Sequence, residues 1–320
     1  MLNRKRLDAP AGEIIRMRVS YDGRGFVGSQ RQANARTVQG ELERALQEIA
    51  GKAIPIHLAG RTDRGVHAAG QVASCSREGV RLNVAQLSKA MNAHLGRDIA
   101  VLEATWEPKG FHARYSATWR DYRYRIWAGI RQPNAEGYVW GFPQQLDLVR
   151  MADGANRIAG EHDFAAFASG GEGVPWSSRK DRRHGSTRIV QICTVRELPT
   201  WWGATERDGT LIDIRIVANG FLPRMVRGIV GTLIEIGRGA RPPELVDELF
   251  AARDRRSAPK NVPAEGLTLW AVGYGNEQPE GASPPAVELA SSQGVRTEHG
   301  TQNLVAPRAG HQTRVVRSRR

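Results

Sequence analysis

The chain has 320 residues and a formal net charge of +13, from 46 Lys and Arg against 33 Asp and Glu. That length holds two domains of ordinary size with a real core, and the basic balance points to a polyanionic partner, most often nucleic acid. Only Cys75 and Cys193 are present, far apart and in no CxxC, which excludes a disulfide framework and fits a reducing cytoplasm.

Residues 1–12 read as a loose basic leader, and residues 14–21 (IIRMRVSY) alternate enough to form a first strand that Asp22-Gly23 ends. Gly23-Arg24-Gly25-Phe26-Val27-Gly28 formally matches GxGxxG. A dinucleotide site needs a helix opening straight from those glycines and an acidic residue about 20 positions on. Here polar Ser29 to Arg36 intervene and no such acid follows a strand, so the match is a decoy. Thr37 is placed to cap a helix to Ala50, with Val38, Leu42, Ala45, Leu46 and Ile49 on one face. Ile54, Ile56 and Leu58 suggest a strand, and residues 71–76 another. Residues 84–95 suggest a helix and residues 99–106 a strand, completing β-α-β-β-α-β, the ferredoxin-like split unit.

Residues 119–127 (WRDYRYRIW) predict a strand with aromatics and arginines interleaved, and residues 132–142 a loop. Residues 146–158 read as a helix, and residues 168–187 as a glycine-rich, basic, mobile insertion. Strands are expected at 188–198 and 211–217, helices at 225–237 and 242–250, and a last strand at 267–274. This second half approximates β-α-β-β-α-β again, without a residue-level repeat. The expected organisation is an α/β (α+β) chain of two ferredoxin-like lobes, at 13–110 and 111–275. From residue 276 onward Pro, Gly, Ser and Gln predominate, so 276–320 is expected to be disordered, its terminal arginines serving mainly to keep it solvated.

Three stretches carry unusual residue choices. In Ala59-Gly60-Arg61-Thr62-Asp63-Arg64-Gly65-Val66-His67-Ala68 a carboxylate sits on a tight loop between two strands, flanked by arginines. Spacing alone reads Asp63 first as a turn residue that satisfies backbone donors, and second as a reacting group on a rigidly held loop. Tyr122 lies in Arg120-Asp121-Tyr122-Arg123-Tyr124, and Arg227 leaves a helix among the apolar neighbours Val226, Ile229 and Val230. Such a guanidinium meets a carboxylate or phosphate, or is an ordinary surface arginine. A metal nuclease would need several carboxylates at paired metals, and this loop supplies only Asp63. No histidine or cysteine group has metal-ligand spacing, residues 1–13 are charged rather than apolar as in a secretory signal, and no run reaches membrane-spanning length.

With these residues in view, the sequence resembles the tRNA pseudouridine synthase A family. Residues 59–68 match its AGRTDxGVHA signature throughout. Tyr21-Asp22-Gly23 with Gln30-Arg31-Gln32 and residues 37–43 resemble its N-terminal signature. Phe111-His112-Ala113-Arg114 with Tyr122-Arg123-Tyr124 resembles its tyrosine motif, and Phe221-Leu222 with Met225-Val226-Arg227 and Gly231 its basic motif. His162-Asp163-Phe164 with Phe167, and Arg188-Ile189, also fit, so the likeness runs from about Arg16 to Tyr274.

The resemblance implies a two-lobed, cytoplasmic, homodimeric enzyme with a mostly antiparallel central sheet and an active-site cleft between its lobes, which converts uridine to pseudouridine at positions 38, 39 and 40 of the tRNA anticodon arm, with no cofactor, metal or membrane. It implies Asp63 as the catalytic carboxylate and Tyr122 as the platform for the target base, able to take the C5 proton. It further implies Arg227 as partner of Asp63 and Arg61 as the residue holding the nucleotide out of its stack. A carboxylate beside an arginine is favoured in its charged form, and an aromatic face suits a detached, flipped base. The alternative is a non-catalytic tRNA-binding or tRNA-folding chaperone module. Two departures stand out, Ser29 where the family has Trp, and Pro223-Arg224 before Met225, where the proline is expected at a helix start.

Overall fold

In the computed structural model, which describes residues 13–169 and 185–281, alternating and periodic stretches become one ten-stranded sheet with helices packed on it. The first half supplies β1 (Ile14–Tyr21), α1 (Val38–Ala50), β2 (His57–Leu58), β3 (His67–Ser76), α2 (Val84–His94) and β4 (Ile99–Glu107). The second supplies β5 (Ala117–Gly129), β6 (Trp140–Phe142), α3 (Leu148–Ile158), β7 (Gly160–Asp163), β8 (Thr187–Leu198), β9 (Gly209–Ala218), α4 (Met225–Gly237), α5 (Leu245–Ala252) and β10 (Leu267–Tyr274). The strand order is β4-β1-β3-β10-β5-β9-β8-β7, with β2 also on β3 and β6 on β5. Each half therefore places its first strand between its last and its next-to-last, β4-β1-β3 and β10-β5-β9, in ferredoxin-like order. Pairing is antiparallel except for β6 on β5 and the seam between the halves. That seam is a short parallel contact, Thr268 opposite His67 and Leu269 opposite Ala68. At the seam Gly70 is required, because a Cβ there would lie 2.4 Å from the Trp270 carbonyl oxygen.

Local chemistry explains the element ends. The Thr37 hydroxyl accepts from Gly40 N at 3.2 Å and Gly51, at φ 69°, closes α1. Asn83 and Gln86 form a reciprocal capping box on α2. Helix α4 is buried almost all round, and Gly228 and Gly231 let it approach backbone, a Cβ at either meeting the Phe167 or Lys260 carbonyl within 2.7 and 2.3 Å. His162, Phe164, Phe167 and Phe250 pack as one aromatic cluster, His162 stacked on Phe250 at 4.2 Å.

Several expectations are corrected. The run through Ile54 and Ile56 is not a strand. Its backbone is satisfied by side chains of α1 instead, Gln39 Nε2 donating to Ile56 O at 3.0 Å and Ile56 N to Glu43 Oε1 at 3.1 Å. Strand β3 starts at His67 because it pairs with β10 there. The expected loop at 132–142 ends in β6, and β7 was not anticipated at all. Pro223 does not open α4: Arg224 stands between them in the left-handed region at φ 59°. Residues 276–281, expected to be disordered, lie on the sheet, with Trp119 Nε1 donating to Glu277 O at 2.8 Å and Arg215 Nη1 to Glu280 O at 2.6 Å. The leader (1–12), most of the insertion (170–184) and the rest of the tail (282–320) lie outside the described residues. No described helix is long and apolar enough to cross a membrane.

Candidate active site

Between β2 and β3 the chain runs along the β3 edge before turning, and its backbone is fastened at almost every step. Ala59 N donates to Val72 O at 2.8 Å. Gly60 is bonded both ways by the fully buried Gln71 side chain, at 3.2 Å to its oxygen and 2.8 Å from its nitrogen. Thr62 N donates to Ser29 Oγ at 2.8 Å, Ser29 N returns a bond to Thr62 O at 3.0 Å, and the Thr62 hydroxyl shares a 2.8 Å bond with Tyr21 OH. Ser29, the departure at the usual tryptophan, is thus a buried clamp on the loop. Gly28 lets the two segments meet: it has φ 102°, and a Cβ there would lie 3.1 Å from Thr62 O. Val66 N closes the turn on Asp63 O at 3.2 Å.

This fastening leaves the Asp63 side chain 46% exposed. Arg227 Nη1 donates to Asp63 Oδ2 at 3.2 Å, and Arg224 Nε lies 3.9 Å from the same oxygen. Arg227 is itself held, Nε donating to Val262 O at 2.7 Å, and is only 18% exposed. Tyr122 is buried on β5, its ring edge-on to Phe221 at 5.0 Å, and its hydroxyl oxygen lies 3.4 Å from where a Gly60 Cβ would be. Burial, reinforced by neighbouring Tyr21 and Asp63, pushes the Tyr122 hydroxyl well above its ordinary pKa, against the pull of Arg120. Burial likewise pushes Tyr21 up to about 12, against its bonds to Thr62 and Gln71.

Of the four residues singled out from sequence, three therefore converge. Asp63 and Arg227 form an ion pair, and Tyr122 backs the same loop. Arg61 is exposed on the loop between the fastened Gly60 and Thr62. Sequence reasoning missed the residues that fix the loop. Gln71 and Tyr21 carried a signal only as a polar group in a small, apolar strand and a tyrosine at a strand end. Arg120 carried none: its guanidinium donates to Ala59 O (3.3 Å), Arg114 O (2.7 Å), Ala117 O (3.2 Å) and Asn219 O (2.9 Å), and burial lowers its pKa. It ties the Asp63 loop to both flanking segments. Among the described residues, no group of three His, Cys, Asp or Glu is gathered as a metal site.

A half-open carboxylate, a guanidinium held on it and a protonated phenol beside the same loop can do nucleophilic or proton-transfer chemistry. Comparison with known proteins bears on which substrate. A sequence model of the family described as tRNA pseudouridine synthase matches residues 17–116 and 155–275. A tRNA pseudouridine synthase A of Maridesulfovibrio salexigens is 35% identical over 286 residues, covering 89% of this chain and 98% of that protein. One of Solidesulfovibrio magneticus is 40% identical over 270 residues (82% and 91%), and one of a Roseiflexus species is 40% identical over 287 (88% and 96%).

Proposed function

The chain belongs to the tRNA pseudouridine synthase family, and on that premise we propose that it isomerises uridine to pseudouridine at positions 38, 39 and 40 of the tRNA anticodon arm with Asp63 as its catalytic carboxylate. The reaction is balanced within the substrate: the N1–C1′ bond breaks, the uracil turns, C5 bonds to C1′, and the C5 proton is lost as N1 gains one. Asp63 starts it either by attack on the sugar or base or by proton abstraction, and both begin from the same half-open carboxylate. Tyr122 carries the detached ring, since an aromatic face holds a base whichever edge it presents. Arg227 fixes and neutralises Asp63, and Arg61 keeps the nucleotide out of its stack. The enzyme works as a cytoplasmic homodimer and needs neither metal nor cofactor.

The observation that carries this reading is the Arg227–Asp63 contact at 3.2 Å, on the loop that Tyr122 backs. A non-catalytic RNA-binding module would use the basic surface but has no need of that assembly. The test is to incubate wild type and Asp63→Ala with unmodified tRNA and map pseudouridine. Wild type is expected to modify the anticodon arm and Asp63→Ala to leave it unmodified. Equal modification by both proteins overturns the assignment of Asp63.

A further inference from the structure

Three rings stand in a row outside the core. His57 on β2 stacks on His112 with centroids 4.6 Å apart and planes at 27°, and His112 meets Tyr115 at 4.4 Å and 37°. Tyr115 ends the row and is 77% exposed, so its ring contributes little to the fold by burial. The row is nevertheless rigid. Backbone N–H groups of Arg114 and Tyr115 both donate to His112 Nδ1, at 3.1 and 3.4 Å. Ser116 and His112 bond each other twice, and Ala113 N donates to Ser74 Oγ at 2.9 Å. His57 is paired with Ser74 across the ladder, so both halves of the row are fixed to β3. Burial lowers the His112 pKa first, and neighbouring His57 lowers it further, so the ring is neutral at pH 7.

Its position is set by Arg120, which bonds Arg114 O and Ala59 O with one nitrogen and so fastens the row to the start of the Asp63 loop. The six residue steps from His57 to Asp63 span at most about 22 Å. A short run of nucleotides bridges that distance. Arg114 lies 5.7 Å from the Tyr115 ring centroid, exposed, where it can meet a phosphate.

We propose that His57, His112 and Tyr115 form a stacking ledge for an unpaired base of the RNA substrate, a second nucleotide site distinct from the one that holds the target uridine, with Arg114 on its phosphate. This rests on the tRNA reading above. A preformed row of rings suits a base because stacking needs only a π-face and the ordering cost is already met by the fold. The ledge grips the strand to one side of the target, so it acts on affinity and register rather than on the bond that breaks.

The test is a double-mutant cycle on binding. Dissociation constants are measured for wild type and Tyr115→Ala with an unmodified tRNA transcript, and with transcripts carrying one abasic nucleotide at successive positions around the modified site. Tyr115→Ala is expected to weaken binding of intact tRNA by about tenfold, as loss of one stacked base does, with an unchanged salt slope because no phosphate contact is lost. Tyr115→Phe is expected to bind as wild type. On one abasic transcript the tenfold penalty should disappear, which identifies the base on the ledge. Equal affinity of Tyr115→Ala and wild type for intact tRNA, or a penalty that persists on every abasic transcript, overturns the proposal. Pseudouridine formation by wild type is scored separately, so a failure of the catalytic reading is not confused with a failure of the ledge.

Discussion

Arg227 divides its guanidinium between two acceptors, Val262 O through Nε and Asp63 Oδ2 through Nη1. A lysine at this position can reach one of them but has no fork to serve both. Arg227→Lys is therefore expected to lower single-turnover pseudouridine formation by tenfold or more, while its circular dichroism stays that of wild type. Tyr122 argues differently. Its hydroxyl is held protonated by burial, so a role in taking the C5 proton requires it to pass its own proton on rather than act as a phenolate. Tyr122→Phe keeps the platform, and we expect KM to change little and turnover to fall; unchanged turnover would remove the hydroxyl from the reaction. The residue types of this site were legible in the sequence because each is out of place in its local pattern. The pairing of Asp63 with Arg227 was not readable from spacing, since 164 positions separate them. It came from the family resemblance, and the geometry agrees with it.

The loop that carries Asp63 has only a two-residue strand before it, yet it is held as tightly as a sheet. Its support comes from side chains that reach from elsewhere, Ser29, Gln71, Tyr21 and Arg120. Ser29→Ala leaves the buried Thr62 N–H without its side-chain acceptor, which costs about 1–3 kcal/mol. The expected result is a lower melting temperature by a few degrees together with a loss of activity, checked by thermal unfolding and the pseudouridine assay. The same arrangement explains where reading the elements failed. Strand β1, helix α1, helix α4 and strand β10 follow their own hydrophobic period and were readable. The run through Ile54 and Ile56 carries a strand period, but Gln39 and Glu43 occupy its backbone groups, and no local pattern announces a bond from a helix. Strands β6 and β7 are short and exist because β5 and β8 offer them an edge.

At the scale of the molecule, one network joins the halves beside the site. Asp22 accepts from Arg24 Nε at 3.0 Å and from Tyr138 OH at 2.9 Å. His67 takes Gly23 N on Nδ1 at 3.1 Å and faces Gly137 O through Nε2 at 2.9 Å. The bonds from Arg24 lower the Asp22 pKa from 3.8 to about 2, and burial lowers that of His67 from its ordinary 6.5. Both shifts have the same consequence: the unfolded chain binds more protons than the folded one, so acid destabilises. The His67 contribution is lost as pH falls below about 6.5. That of Asp22 is complete above about pH 4 and lost toward pH 2. Urea unfolding against pH should show both limbs, and Asp22→Asn should flatten the lower one. Charge also acts at this scale. With a net charge of +13, affinity for tRNA is expected to fall steeply and log-linearly with salt, measurable by filter binding between 50 and 200 mM. Composition alone announced the polyanion. A mostly antiparallel central sheet was expected too, and the structure has it; what no local pattern gave is the parallel seam between the halves, which is made by two residue pairs about 200 positions apart in the chain.

That seam also dictates an order of events during synthesis. Strand β10 is the last of the described strands, yet it lies between β3 and β5, near the middle of the sheet. Until residues 267–274 leave the ribosome, β3 and β5 each carry an open edge, and the nascent chain holds two half-sheets with nothing to zip them. Open edges recruit other strands, and long-range pairing closes slowly. The nascent chain thus keeps two adhesive edges until β10 emerges, and a product that stops ahead of β10 lacks the seam that joins the halves beside the Asp63 loop. A chain stopped ahead of Leu267 should therefore be found in inclusion bodies rather than as a soluble half-enzyme.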